Sequence, residues 1–189
     1  MLNLNAYERV ANWNEARYCR VYSNELTCNM IDEELGEYFD NIDSEVEKLD
    51  ALCDIMFVAF GALWKIGFDS LDEVVAANEC GEDYSWLDKA NSIPSIVLAI
   101  SFSKAIRFGY IAPKKGLAII IILAFAQAES NGYTGDQFKR AVLAVCDSND
   151  TKAVERVSPD VKANLNKGEQ YVSPTKALTK IVEEMLHAK

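Results

Sequence analysis

Two sets of carboxylates carry the chemistry this chain can do: Glu33, Glu34 and Glu37, then Glu47, Asp50 and Asp54. On an α-helix the first three occupy positions i, i+1 and i+4 and span about 100° of one face, while the second three fall within about 60° of one another. Like charges at that density repel. Asp54 adds a desolvation cost, because Leu52, Cys53, Ile55 and Met56 surround it in sequence. Something cationic must answer them. A hard divalent ion fits best, since Mg²⁺, with Mn²⁺ as the alternative, prefers carboxylate and water oxygens and commonly joins protein acids to substrate phosphates. The plainer reading of the same residues is a solvated acidic face with Asp54 paired to a lysine such as Lys65 or Lys104.

The elements that must position these acids are helices. Prolines are few (Pro94, Pro113, Pro159, Pro174), alternating strand patterns are scarce, and apolar residues recur at spacings of three and four. That periodicity predicts helices over about 5–20, 23–41, 43–66, 70–79, 84–91, 94–108, 114–130, 135–147 and 174–188, with breaks at Gly67, Gly81, Gly109 and the pair Gly132 and Gly135. The tract 166–174 reads as an extended loop. Ile31, Leu35, Tyr38 and Ile42 lie beside the first acid set, and Val46, Leu49, Cys53, Met56 and Phe60 form a stripe beside the second. Packed as an antiparallel pair through the short connection 41–44, the two helices bring both acid sets together.

Composition narrows the function classes. A chain of 189 residues, 50% hydrophobic, supports one sizeable core, so we expect a single all-α domain. Its site helices occupy 23–66, an apolar helical insertion about 80–135, and a C-terminal segment 136–189. A formal net charge of −10 argues against polymeric nucleic acid as a partner. The five cysteines are scattered and form no CxxC pair, which fits reduced thiols in a cytosol, and the start MLNLNAYERV lacks the pattern of a secretory signal. Within the apolar segment the uncharged run from Gly116 to Ala128 is 13 residues, short of the roughly 20 that span a bilayer, so two buried helices are expected rather than a membrane hairpin. There is no GxxxxGK(S/T) phosphate loop. His187, the sole histidine, stands near the C-terminus, which disfavours a histidine-based triad. Cys53 reads as core, not as a nucleophile. Trp13, Tyr18, Trp64 and Trp86 can stack a base, but aromatics at helical spacing more often fill a core.

The acid pattern resembles the MazG-like, or all-α, nucleoside triphosphate pyrophosphohydrolases, whose signature is EExxE, a spacer, then ExxD entering an apolar helix. Residues 33–37, EELGE, match the first half letter for letter. In the second half Asp54 holds the final acid position before IMFVAFG, but Ala51 stands where the pattern has Glu. Asp50 looks like its substitute, giving DALCD, a form similar to phage-type members. A literal ExxD at Glu47 to Asp50 would put the apolar run four residues too late.

The resemblance implies a helical bundle of that family's type carrying an extra apolar helical segment. It implies metal roles for Glu33, Glu34, Glu37, Asp50 and Asp54, of which Glu34, Glu37 and Asp54 form the catalytic set, and Mg²⁺-dependent cleavage of a (d)NTP to (d)NMP and pyrophosphate. Family members often place an Asn and a Lys near the nucleotide, so Asn149 and Lys152 in CDSNDTK are implied substrate contacts, although DSND is also an ordinary helix end. It further implies a homodimer or larger assembly in the cytoplasm, that of the host if the chain is phage-encoded. The alternative is a catalytically silent helical interaction protein on the same scaffold, with Ala51 its best support.

Overall fold

A computed structural model describes residues 4–18, 20–70, 72–73, 94–153, 158 and 168–188. Among these the elements are α-helices: α1 (Leu4–Arg17), α2 (Asn24–Asp40), α3 (Glu45–Ile66), α4 (Ser95–Arg107), α5 (Pro113–Asn131), α6 (Gly135–Asp150) and α7 (Thr175–His187). They pack as an all-α bundle around one hydrophobic core to which every helix contributes. The segments expected to be helical at 70–79 and 84–91 lie outside the described residues apart from 70 and 72–73, and so do Gly81 and Trp86.

The boundaries follow from local chemistry. Ser23 Oγ accepts from Leu26 N at 3.3 Å to start α2, and Ser44 Oγ accepts from Glu47 N at 3.3 Å to start α3. Gly67 ends α3 at φ 120° and Gly132 ends α5 at φ 102°, both left-handed, where a Cβ would be strained. Gly135 does not break a helix but opens α6, because Thr134 and Gln137 form a reciprocal capping box there. α6 also runs three residues past its expected end: Trp13 Nε1 donates to the Asn149 carbonyl at 2.9 Å, so tertiary packing holds the polar DSND in the helix against its turn preference.

α3 is the centre of the molecule. From Leu49 to Trp64 only Asp50 and Asp54 are not fully buried, so the helix is enclosed on nearly all sides and not along a single stripe. α2 covers one side of it, antiparallel through the short connector at 41–44, and α1, α5, α6 and α7 cover the rest. Ile31, Leu35 and Tyr38 of α2 are buried as expected, whereas Ile42 is 63% exposed, because it falls in the connector after α2 has ended at Asp40.

The apolar segment forms a helical hairpin, α4 and α5, that docks on α2 and α3 from the side away from the acids. Polar ties fix it at both ends. Ser103 Oγ donates to Asp32 Oδ1 and Arg107 Nη2 to Asp32 Oδ2, each at 2.6 Å. At the other end Gln127 Oε1 accepts the Ile96 N–H at 3.1 Å, satisfying a helix-start donor that Pro94 cannot cap, and Gln127 continues through Asn131 to the Tyr38 hydroxyl. No described helix is long and apolar enough to cross a membrane. Within the hairpin a Cβ on Gly116 would stand 2.4 Å from Ile106 Cγ1, closer than packed carbons allow. Gly116→Ala is therefore expected to lose stability by about 1–3 kcal/mol from overpacking, partly offset by about 1 kcal/mol of helix propensity. Chemical denaturation showing a net gain would mean that Ile106 has room to move.

Candidate functional site

The α2–α3 pairing puts the acids of both helices around one cavity of about 450 Å³, lined by Glu33, Glu34 and Glu37 of α2 and by Glu47, Asp50 and Asp54 of α3. Glu34 is buried, Asp50 and Asp54 are half-buried, and Glu33, Glu37 and Glu47 are exposed at the rim. The departure from the ExxD pattern has a geometric counterpart: Ala51 packs in the core at 2% exposure, whereas Asp50 lines the cavity beside Asp54. Asp50, Asp54 and Glu47 share a face because three- and four-residue steps bring side chains to the same side of a helix.

The opposite wall comes from the C-terminal half. Asn149 and Lys152 line the same cavity, as do Val145 and Ser148 of α6 and Tyr171, Ser173, Pro174 and Thr175 at the start of α7. All the acids, the asparagine and the lysine expected at a site are thus brought together. Sequence reading missed the hydroxyl-bearing wall at 173–175. Its signal was a Ser-Pro-Thr at a helix start, where backbone N–H groups and hydroxyls gather.

A second cavity, of about 160 Å³, adjoins the first, and the two share Glu34, Asp54, Asn149 and Lys152 as lining. Its character is different: Trp13 and Tyr18 from the N-terminal segment, Met30 of α2 and Phe57 and Val58 of α3 give it apolar walls, with Asn14, Thr27 and Lys65 as polar points. Trp13 and Phe57 meet edge to face with ring centroids 5.1 Å apart. Of the aromatics considered for stacking, Trp13 and Tyr18 line this cavity; Trp64 does not, and Arg20 donates to its carbonyl at 2.8 Å.

Beyond the aromatics considered for stacking, α1 holds the opposite wall in place. Besides the Trp13 bond to Asn149, Arg17 Nη2 donates to the Lys152 carbonyl at 2.9 Å, and Arg9 pairs with Asp147 at 2.7 Å and with Asp150. Arg17 is buried with its guanidinium carbon 4.2 Å from the Trp13 ring centroid, and burial lowers its pKa. These contacts fix Asn149 and Lys152 through their backbones and leave the side chains for the cavity.

Lys65 does not pair with Asp54. Its Nζ sits 3.7 Å from the Tyr18 ring centroid, and burial lowers its pKa to about 8. Cys53 is fully buried, and burial, with Asp50 and Asp54 nearby, holds its thiol well above the usual range, so it acts as core. Cys28, Cys53 and Cys146 are all free and buried, while Cys19 and Cys80 lie outside the described residues.

The donor set is all oxygen, which suits a hard divalent cation and not a soft one. Among the described residues, however, no three acid, cysteine or histidine side chains stand close enough together to grip one ion, so the carboxylates must converge by rotamer change to do so. Compared with known protein families, with curated proteins and with solved structures, the chain matches none.

Proposed function

We propose that the chain is a divalent-cation-dependent nucleotide pyrophosphohydrolase that cleaves a (d)NTP to a (d)NMP and pyrophosphate. The observation that carries this reading is the adjoining pair of cavities with four lining residues in common: an acid-lined polar one, and beside it an aromatic-walled one. A polyphosphate beside the carboxylates and a base against the aromatic wall is the division of labour such a pair supports.

In this reading Glu33, Glu34, Glu37, Asp50 and Asp54 hold Mg²⁺, or Mn²⁺ in its place, which supplies charge neutralisation for the departing pyrophosphate and Lewis acidity. Glu34 and Asp54, shared by both cavities, stand at the junction where the α-phosphate would lie. A carboxylate of the set Glu34, Glu37 and Asp54 accepts the proton of the attacking water. Lys152 offers a cation to the phosphates, and the Asn149 amide offers donors to phosphate or sugar oxygens. Lys152 and the hydroxyls at 173–175 face the acids across the cavity, so the triphosphate would be held from both sides.

Coupled phosphate release, with inorganic pyrophosphatase added, tests the activity across the common NTPs and dNTPs. Signal that requires both Mg²⁺ and the added pyrophosphatase is expected. No turnover of any nucleotide at millimolar Mg²⁺ would instead favour the silent interaction protein, whose support is the dispersed placement of the acids. Magnesium alone is expected to raise the melting temperature, because an ion that binds only the native acids stabilises them by mass action. A flat melting temperature across millimolar Mg²⁺, with or without nucleotide, counts against the ion site.

A further inference from the structure

The second cavity carries polar groups that the triphosphate chemistry leaves unused, Asn14, Thr27 and Lys65 among them. Asn14 is 4% exposed. Its Nδ2 donates to the Val10 carbonyl at 2.8 Å, and a carbonyl only accepts, so the amide orientation is fixed. Among the described residues Asn14 Oδ1 accepts no hydrogen bond, and it is left to the cavity. Gly61 makes this placement possible, since a Cβ there would stand 2.7 Å from Asn14 Nδ2. Lys65 follows Gly61 by one turn of α3, and Asn14 and Lys65 both line the cavity, one with an acceptor and one with a cationic donor. Among the described residues Lys65 has no carboxylate partner; its ammonium rests on the Tyr18 ring.

We infer that this cavity is a nucleobase subsite that selects keto bases, with Lys65 donating to the ring carbonyl oxygen and Asn14 Oδ1 accepting from the neighbouring ring N–H. The inference rests on the nucleotide reading above and names its substrate class. Uracil, thymine and guanine present that pair, a carbonyl acceptor beside a ring N–H donor, on the edge used for pairing. Cytosine and adenine present the reverse, an amino donor beside a bare ring nitrogen. An ammonium has donors and no acceptor, so it meets the amino group with nothing to accept, and Asn14 Oδ1 meets a lone pair. Trp13 and Phe57 contribute affinity without choice, because every base has a face to stack. Discrimination therefore falls to Lys65 and Asn14.

The test compares dUTP, dTTP and dGTP with dCTP and dATP, using the full chain with Mg²⁺, and adds calorimetric binding of the non-hydrolysable α,β-imido analogues of dUTP and dCTP. Each keto nucleotide is expected to exceed both amino nucleotides by at least about 30-fold in kcat/KM, with the same order in analogue binding. Lys65→Met, checked for a native circular dichroism spectrum, is expected to compress the ratio to within about threefold. Lys65→Arg, which keeps a charged donor, should retain most of it. Turnover of all five nucleotides at equal kcat/KM, or a Lys65→Met enzyme with the wild-type ratio, overturns the base assignment and leaves the hydrolase reading standing. Analogue binding with keto preference but no hydrolysis supports the subsite and sinks the hydrolase. Failure of both analogues to bind at millimolar concentration overturns the subsite together with the nucleotide reading.

Discussion

Asp54→Asn is expected to lower kcat/KM by at least about 100-fold, equivalent to roughly 2.7 kcal/mol of transition-state stabilisation, with Asp50→Asn close behind. Asp54 lines both cavities, and its sequence neighbours Cys53 and Ile55 are fully buried, so its backbone is fixed while its carboxylate faces the junction. Asp50, one turn earlier, lines the acid cavity where Ala51 does not. Glu47 is exposed at the rim, and Glu47→Gln is expected to stay within about tenfold of wild type. The melting temperatures of the two Asn variants are measured without metal alongside their rates. That comparison separates a loss of chemistry from a loss of fold. A wild-type rate in Asp54→Asn would remove the basis of the metal-site reading, and an active Asp50→Asn enzyme would show that Asp50 does not replace the glutamate of the family pattern.

Phe60→Ala is expected to have the largest effect on stability. Phe60 is 1% exposed on the central helix, and its ring meets Tyr7 edge to face with centroids 5.5 Å apart. Tyr7 in turn donates its hydroxyl to the Phe68 carbonyl at 2.8 Å, which ties α1 to the chain leaving α3. Removing the ring opens a cavity at the α1–α3 contact, at a cost of about 3–5 kcal/mol. Against a total of about 5–15 kcal/mol for a native protein, that is a large share. For a chain of this size it corresponds to a melting temperature lower by about 6–20 °C. Phe60 lines neither cavity, so below its melting temperature the variant should keep kcat within about threefold of wild type. A melting temperature within about 3 °C of wild type would show that neighbouring side chains collapse into the space.

Where the sequence was readable, it was through periodicity and punctuation. Apolar periodicity placed α2 at 23–41 and α3 at 43–66, with a break at Gly67, and these bounds fell within two residues of those observed. The meeting of the two acid sets was also legible, because a four-residue connector leaves two packed helices few alternatives to running antiparallel. What failed to show was everything that depends on contacts distant in sequence. The DSND end of α6 stays helical because Trp13, 136 residues earlier, bonds to Asn149. Local pattern favours a turn there and carries no trace of the indole. The enclosure of α3 was likewise hidden, since an apolar stripe reports one covered side and cannot report five neighbouring helices. Asn14 carried no signal in the sequence, and Lys65 was weighed only as a partner for Asp54. Their placement depends on Gly61, whose importance appears only when α1 is laid against it.

The enclosure of α3 also sets how its amide hydrogens exchange with solvent. Surface helices lose protons to water by fraying or by local opening, but a helix wrapped by neighbours from Leu49 to Trp64 exposes its N–H groups only when the whole molecule opens. The amides of Asp50 and Asp54 are therefore expected to exchange slowly, whereas those of Glu33 and Glu37 belong to a helix with one side open to water. The two halves of the acid cavity thus differ in clock: the α3 half is as permanent as the fold, and any closing of carboxylates onto an ion must come from side-chain rotation there and from backbone adjustment on the α2 side.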